Sequence, residues 1–297
     1  MKIWDVHCHC RGDEKGDDVL RWMDKAGLER ICLFSEYPPM RALGRGATGF
    51  QSFNITGRPP AKARQQIPYR REDTRAAIEH IASVQAADPE RIYGLLWVEP
   101  RTPGIIEEIE YALVDRKLRG IKMIPDHWSP EDELLYPIYE KMEELGKPIQ
   151  FHSGILYGFD DSSRFCRPAL YEVLVHFPKL RFSLAHISWP WVDECLAVFG
   201  RFRSAAGYDL RRCQMWIDTC RGTPDAWRQE ALSKAVPFVG TERLMFGVDT
   251  YPEHLPEAAP VHFRKDLDIL QNILGLSQAQ IEMFFWGAAE QFYSGPA

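Results

Sequence analysis

The chain has 297 residues, of which 45% are hydrophobic and 26% are charged, and its formal net charge is −6. This composition is typical of a globular protein and argues against disorder, while the acidic charge argues against non-specific binding of nucleic acid. No apolar run reaches the roughly 18 residues that cross a bilayer, and the N-terminus lacks the plan of a signal peptide. The 7 cysteines form no CxxC pair and fit reduced thiols. We therefore expect a cytoplasmic protein with no nucleic-acid or membrane partner.

Eight short apolar runs alternate with stretches of helical periodicity, which predicts repeated βα units and a parallel sheet. Because no glycine-rich phosphate loop follows the first run, a single-domain (β/α)8 TIM barrel over residues 1–297 is favoured, and a doubly wound sheet is the alternative. The runs begin near Ile3, Arg30, Arg91, Arg119, Pro148, Arg181, Gln214 and Arg243. The helical stretches cover residues 17–26, 76–87, 105–116, 131–145, 169–177, 192–203 and 267–274.

The second βα unit contains an insertion, about residues 38–70, that is rich in Gly, Pro, Arg and Gln. It follows the carboxyl end of a strand, where barrel loops form active sites, so it is a candidate lid; a surface insertion is the alternative. After the last strand, residues 261–274 predict the final barrel helix. Residues 277–293 predict an extra C-terminal helix, aromatic-rich and N-capped by Ser277. This helix either closes the barrel bottom or covers a contact in a homodimer.

Four histidines and one aspartate are predicted to lie at the carboxyl ends of the strands. His7 and His9 alternate on the first strand, so both imidazoles face one side. His152, His186 and Asp249 end the fifth, sixth and eighth strands. Any one of them alone could be a hydrogen-bonded core residue or a turn residue, but five at one barrel face predict a metal site.

The motifs around these residues are Gly120-Ile121-Lys122, Gln150-Phe151-His152-Ser153-Gly154, Leu184-Ala185-His186 and Phe246-Gly247-Val248-Asp249. Together with His-x-His on strand one, they resemble the amidohydrolase superfamily, and more closely the amidohydrolase-2 group that includes aminocarboxymuconate-semialdehyde decarboxylase. The resemblance implies a single divalent ion, usually zinc, with a bound water. It also implies that His186 is the acid/base residue beside that water. The implied ligands of the ion are His7, His9, His152 and Asp249.

The chemistry of this donor set supports the same assignment. Three neutral imidazoles and one carboxylate leave a divalent ion a net charge near +1, which lowers the pKa of a bound water to about 7. His186 can accept the proton of that water, or Asp249 can share the proton transfer. Ligand type does not separate zinc from manganese or iron. Lys122 lies at the end of strand four, and if it is carboxylated, it could bridge two ions in a binuclear site. Otherwise it is a buried amine that pairs with a carboxylate or binds an anionic group of the substrate.

Candidates for the substrate site are less specific. Arg164 and Arg221 could clamp a substrate carboxylate by bidentate hydrogen bonds, and surface ion pairing is the alternative for both. We expect His127 and His254, on loops of the same face, to be solvent-exposed. The aromatic residues that could wall a planar substrate, or simply pack, are Trp128, Trp189 and Tyr251.

These observations predict a metal-dependent hydrolase that attacks an amide, lactone or ester bond of a small anionic molecule. Non-oxidative decarboxylation of an unsaturated or aromatic acid is the second interpretation, because it uses nearly the same residues. A catalytically silent metal-binding scaffold is the third, and it requires the water position on the ion to be blocked. The expected partners are a small-molecule substrate and, in a homodimer, a second copy of the chain.

Overall fold

A computed structural model describes residues 1–38, 69–156 and 162–295, so most of the predicted insertion lies outside the described residues. Eight parallel strands form one sheet in chain order. The strands are β1 (Trp4–His9), β2 (Arg30–Phe34), β3 (Ile92–Trp97), β4 (Gly120–Met123), β5 (Ile149–Phe151), β6 (Phe182–Leu184), β7 (Met215–Asp218) and β8 (Leu244–Met245). The α-helices are α1 (Gly16–Ala26), α2 (Arg71–Gln85), α3 (Ile105–Glu110), α4 (Tyr136–Leu145), α5 (Ser162–Phe165), α6 (Val192–Ala205), α7 (Asp225–Val239), α8 (Leu255–Asp268), α9 (Gln278–Glu282) and α10 (Ala288–Ser294).

Main-chain hydrogen bonds join β1 to the segment that follows β8 and bring the sheet round into a barrel. The N–H of Asp249 donates to the carbonyl of His7 at 2.8 Å, and the N–H of His9 donates to the carbonyl of Thr250 at 2.9 Å. The carboxylate of Asp5 accepts main-chain N–H groups from both sides of this junction at 2.9 Å. The predicted (β/α)8 barrel is confirmed, and the doubly wound alternative is wrong.

Two predicted helix ends have the expected local chemistry. Gly27 follows α1 with a φ of 73°, a left-handed conformation that glycine adopts without steric cost. Ser277 caps α9 in a capping box, in which its side chain and that of Gln280 each accept the other residue's main-chain N–H. These two boundaries therefore follow from the sequence.

Three other connections differ from the sequence expectation. The stretch predicted as a helix over 169–177 is a 3-10 helix, Pro168–His176. The helix α7 was not predicted, and it contains Pro237 in its interior. The helix α8 begins at Leu255, earlier than the predicted 261, with a proline in its first turn.

Within the described ranges, no helix is long and apolar enough to cross a membrane.

The C-terminal helices cover the amino-terminal ends of the strands. Phe292 is fully buried in a cluster that includes Trp4, the first residue of β1. The Trp4 ring lies 5.4 Å from that of Tyr293, whose hydroxyl donates to Gln150 Oε1 at 2.9 Å. The aromatic face thus closes the barrel bottom, as one of the two alternatives predicted, and the homodimer stays a prediction.

A buried ion pair links α7 to α8. Arg228 and Asp266 are 2% and 0% exposed, and two of the arginine nitrogens each lie 2.5 Å from a carboxylate oxygen. Such a pair is costly to break from one side, because the remaining charge stays buried without compensation. It therefore fixes two helices whose preceding strands, β7 and β8, carry residues of the barrel mouth.

Replacing one partner should destabilise the protein more than replacing both. We expect Arg228→Met to lower the free energy of unfolding by about 3 to 5 kcal/mol, because Asp266 then lacks a partner. The double variant Arg228→Met/Asp266→Leu should recover most of that loss. Urea unfolding at neutral pH measures both values, and a double variant as unstable as the single one would contradict the expectation.

Candidate functional site

The five residues predicted at the strand ends meet at the mouth of the barrel. His7, His9, His152, His186 and Asp249 line one cavity of about 270 Å³. The two N-terminal histidines lie on β1, and the other three residues follow β5, β6 and β8. The structure thus brings together all the predicted ligands and the predicted acid/base residue.

The ligand nitrogens of β1 converge on one carboxylate oxygen. The Nε2 atoms of His7 and His9 lie 3.5 and 3.4 Å from Asp249 Oδ1. Ligands bound tetrahedrally to zinc at about 2.1 Å are separated by about 3.4 Å. Each imidazole nitrogen thus lies at the distance from the carboxylate oxygen that two ligands of one ion would have.

His152 supplies the remaining donor of the predicted set. Its Nδ1 lies 3.1 Å from Nε2 of His186. Its Nε2 is buried and has no hydrogen-bond partner among the described residues. Because buried polar nitrogens are rarely left unsatisfied, this atom fits the position of a ligand to a bound cation. The donor set of three imidazoles and one carboxylate fits a divalent ion.

Asp218, which the sequence analysis did not single out, orients the first histidine. The His7 Nδ1–H donates to Asp218 Oδ2 at 2.5 Å, and both side chains are 1% exposed. The proton on Nδ1 leaves the Nε2 lone pair directed toward Asp249. A carboxylate behind a ligating histidine is a common arrangement at metal sites. Its signal in the sequence was its place at the end of β7, the same barrel edge as the predicted ligands.

Burial keeps three imidazoles of the site, those of His7, His152 and His186, neutral. It lowers the pKa of His7 and of His152 well below the ordinary value, and it lowers the pKa of His186 to about 3. A neutral imidazole is the form that binds a metal. These rings therefore do not have to release a proton before the site takes up a cation.

Cys220 is a second residue that the sequence analysis missed. Its Sγ lies 2.9 Å from Nδ1 of His186 and 3.1 Å from Nδ1 of His7. One ligand atom from each of these residues and from Asp249 falls within 4.8 Å of the others. The thiol is buried, and burial raises its pKa well above the ordinary value, so it acts at this position as a neutral S–H group.

Lys122 is fully buried inside the barrel, and burial lowers its pKa. Its Nζ lies 4.7 Å from the centroid of the Phe34 ring and has no hydrogen-bond partner in the described ranges. An amine paired with a carboxylate, one of the alternatives, is therefore not seen among the described residues. Carboxylation and the binding of a substrate group stay predictions.

The predicted substrate contacts separate into two groups. Tyr251 lines the cavity, together with the apolar residues Ile124, Ile155 and Leu156. No lysine or arginine lies among the described residues that line it. The other four candidates lie elsewhere: Arg164 and Arg221 are exposed, Trp128 packs in the hydrophobic core, and Trp189 lies in a separate groove against Trp227.

His127 is not solvent-exposed, so that expectation is wrong, whereas His254 is exposed as expected. The His127 ring lies between two carboxylates, with Nδ1 2.5 Å from Asp126 Oδ1 and Nε2 3.3 Å from Glu99 Oε1. Burial lowers the pKa of His127, but these two hydrogen bonds outweigh it and raise the pKa to about 9. The protonated imidazole of His127 thus binds both the Asp126 and the Glu99 carboxylates.

Comparison with known proteins adds the family context. A family model described as Amidohydrolase matches residues 4–295. A dihydroorotase of Serratia proteamaculans (strain 568) is 26% identical over 141 residues, which cover 42% of this chain and 40% of that protein. A 2-amino-3-carboxymuconate-6-semialdehyde decarboxylase of Dictyostelium discoideum is 24% identical over 242 residues, which cover 72% and 64%. The chain thus spans less than two thirds of either curated relative.

Solved structures share the fold over nearly the whole chain. A 2,6-dihydroxybenzoate decarboxylase in complex with 2,6-dihydroxybenzoate has a TM-score of 0.63 at 15% identity, covering 99% of this chain and 100% of that one. A 5-carboxyvanillate decarboxylase of Novosphingobium aromaticivorans, in complex with manganese, has a TM-score of 0.61 at 15% identity, covering 93% and 79%. At these identities the likeness shows the fold alone.

The ion-paired His127 should make stability depend on pH. Its pKa of about 9 lies above the ordinary 6.5, so its contribution is fully present below pH 6.5 and is lost as the pH rises through 9. We expect His127→Gln to be less stable than the parent by about 3 kcal/mol at pH 6, with the difference vanishing near pH 10. Urea unfolding between these pH values measures it, with the exposed His254→Gln as control. A difference independent of pH would contradict the assignment.

Proposed function

Since this chain belongs to the amidohydrolase family, we propose that it is a metal-dependent enzyme that removes carbon dioxide, without oxidation, from a small planar unsaturated or aromatic acid. The observation that carries the proposal is the cavity, whose lining combines the candidate ligands and His186 with the apolar side chains of Ile124, Ile155 and Leu156. The decarboxylase relative of Dictyostelium discoideum supports the same class of reaction.

In this proposal one divalent ion, zinc or alternatively manganese, is held by His7, His9, His152 and Asp249. When bound, the ion polarises a substrate oxygen and offsets its negative charge. The orphaned Nε2 of His152 and the spacing of the other donor atoms support this ligand set. Asp218 keeps the first ligand in the required tautomer.

The cavity walls favour a flat, weakly polar body for the substrate. Ile124, Ile155 and Leu156 offer apolar contact, and Tyr251 offers an aromatic ring. The described wall residues include no lysine or arginine, so none of these residues pairs with a substrate carboxylate. Loss of carbon dioxide removes this charge, which an apolar wall favours. For that reason we reverse the order of the two reactions expected from the sequence.

The proton balance of the reaction calls for a donor at the cavity. The bond between the ring carbon and the carboxyl carbon breaks, its electron pair stays on the ring carbon, and that carbon takes up a proton. Apart from the remaining ligands, the described cavity residues that can hold or move a proton there are His186, Asp249 and Tyr251. Their chemistry supports decarboxylation without a further cofactor.

Hydrolysis of a lactone, cyclic amide or ester is the second candidate. Burial lowers the pKa of His186 to about 3, so its imidazole is neutral, and hydrolysis would require this ring to accept a proton from water. The dihydroorotase relative supports this class of reaction. The same residues would serve either reaction, so products rather than ligands separate the two.

Metal content should depend on the proposed ligands and on Asp218. We expect His152→Ala to lose the ion on dialysis and Asp218→Asn to bind it about 10- to 100-fold more weakly, since the carboxylate orients His7. His186→Ala should keep the ion, because that residue is not a proposed ligand. Elemental analysis of the dialysed proteins measures this. Parent-like metal content in both His152→Ala and Asp218→Asn would refute the ligand set.

The two reactions give different products from a mixed panel of acids and lactones. We expect the metal-loaded protein to release carbon dioxide from a planar acid and, in heavy water, to place deuterium on the carbon that lost it. Isotope-ratio analysis measures the released carbon dioxide, and proton magnetic resonance of the product locates the deuterium. His186→Ala is the inactive control. Incorporation of ¹⁸O from water into a ring-opened acid, without carbon dioxide, would instead establish hydrolysis.

A further inference from the structure

The loop that follows β7 surrounds His186 with hydrogen-bonding groups. The N–H of Gly222 donates to its Nδ1 at 3.1 Å, and the Cys220 Sγ lies 2.9 Å from the same nitrogen. The hydroxyl of Thr223 donates to the main-chain carbonyl of His186 at 2.7 Å. Ring and main chain of one residue are thus held by a single loop from a neighbouring strand.

These contacts fix where the imidazole carries its proton. A main-chain N–H has no other protonation state and can only donate, so Nδ1 of His186 must present its lone pair to Gly222. An S–H donor at Cys220 agrees with this, because it also needs an acceptor. The proton of the ring then lies on Nε2, the nitrogen 3.1 Å from Nδ1 of His152.

Only glycine leaves room for this arrangement. A Cβ at position 222 would lie 2.2 Å from Cγ of His186, and the φ of Gly222 is outside the left-handed region. A larger residue would therefore strike the ring rather than strain its own backbone. His186 itself has a left-handed φ of 63°, followed by 49° at Ile187, which is costly for a β-branched residue. The Thr223 hydroxyl bond holds this strained turn.

We propose that Gly222 and Thr223 are positioning residues that hold His186 as a neutral imidazole with its proton on Nε2, so that it serves the reaction as a hydrogen-bond donor rather than as a general base. A general base needs a free lone pair, and here the lone pair of Nδ1 already accepts the Gly222 N–H. The role in the reaction rests on the proposed function, whereas the tautomer does not. A neutral imidazole fixed as a donor by main-chain groups is known chemistry for enzymes.

The arrangement also predicts a response to a cation. A cation at Nε2 of His152 leaves that ring's proton on Nδ1, which then faces the protonated Nε2 of His186. Two donors cannot share a hydrogen bond, so the Nε2–H of His186 loses this acceptor and becomes available to a substrate. Zinc alone, without any substrate, is therefore expected to move the Nε2 proton resonance of His186.

Nuclear magnetic resonance of the full chain, labelled with ¹⁵N in histidine and free of metal, reads the tautomer directly. Long-range ¹H–¹⁵N correlations should show His186 with an unprotonated Nδ1 and a protonated Nε2, and His186→Gln identifies the signals by their loss. A protonated Nδ1 on His186 would overturn the proposal. Addition of zinc should shift the Nε2 proton and keep the tautomer; a proton moved to Nδ1 would also overturn it.

Substitutions then test the loop. We expect Gly222→Ala to give a mixture of tautomers and a kcat about 100-fold lower with KM little changed, since displacing a catalytic group by about 1 Å has such an effect. The control is Gly200→Ala on α6, where a Cβ would approach no atom closer than 3.3 Å. Thr223→Val removes the hydroxyl and should lower kcat, while Thr223→Ser keeps the hydroxyl and should restore it. If Gly222→Ala fails to fold, the Thr223 pair decides.

The outcomes separate this proposal from the proposed function. If the tautomer is as expected and shifts in Gly222→Ala, but no acid or lactone reacts with any of the proteins, the proposed function fails and the positioning stands. If the parent tautomer and kcat persist in both Gly222→Ala and Thr223→Val, the positioning is wrong whatever the reaction. If the tautomer shifts while kcat stays at the parent value, the donor role is wrong.

Discussion

The junction of β1 with the segment after β8 is the constraint on which the site depends. The bond from the Asp249 N–H to the His7 carbonyl, 2.8 Å long, closes the barrel and at the same time brings the carboxylate beside both β1 imidazoles. Ligands from opposite ends of the chain thus need no separate device to meet. The contacts that close the barrel therefore also bring the proposed ligands together, and the buried Asp5 carboxylate accepts N–H groups from both sides of the junction.

The barrel interior beneath this junction carries buried polar groups that an apolar core would not tolerate. Within the described ranges, Lys122 Nζ, Asp5 Oδ2 and His152 Nε2 are buried without a hydrogen-bond partner. Burial lowers the pKa of Lys122 and raises that of Asp5 to about 8, so both drift toward their neutral forms. Leaving such atoms unsatisfied costs stability. Their presence on or next to the strands that carry the proposed ligands fits a site shaped for ligands rather than for folding alone.

The residues at strand ends could be predicted from the sequence because two simple rules govern them. Period-two alternation faces His7 and His9 the same way, and parallel strands place their carboxyl ends at one edge. Two other elements do not follow these rules and were not predicted correctly. The helix α7 was missed because it has a proline inside it and no clear apolar stripe. The segment after α5 was predicted as an α-helix but adopts 3-10 geometry. Asp218 obeyed the edge rule but lacked the histidine that made the other strand ends conspicuous.

The positions of loop side chains were harder to predict, because strand order fixes where a loop begins but not where its side chains point. Trp128 turns into the core and Trp189 into an outer groove, although both follow strands at the same face. His186 and Asp249 owe their directions to left-handed backbone, with φ of 63° and 57°, which no pattern of residue types indicates. The proposed ligands His7 and His9 therefore belong to the rigid strand β1, whereas Asp249 and His186 depend on the backbone that follows β8 and β6. Because the proposed proton position on His186 depends on the loop after β7, a family likeness that predicts the metal site does not by itself predict the chemistry.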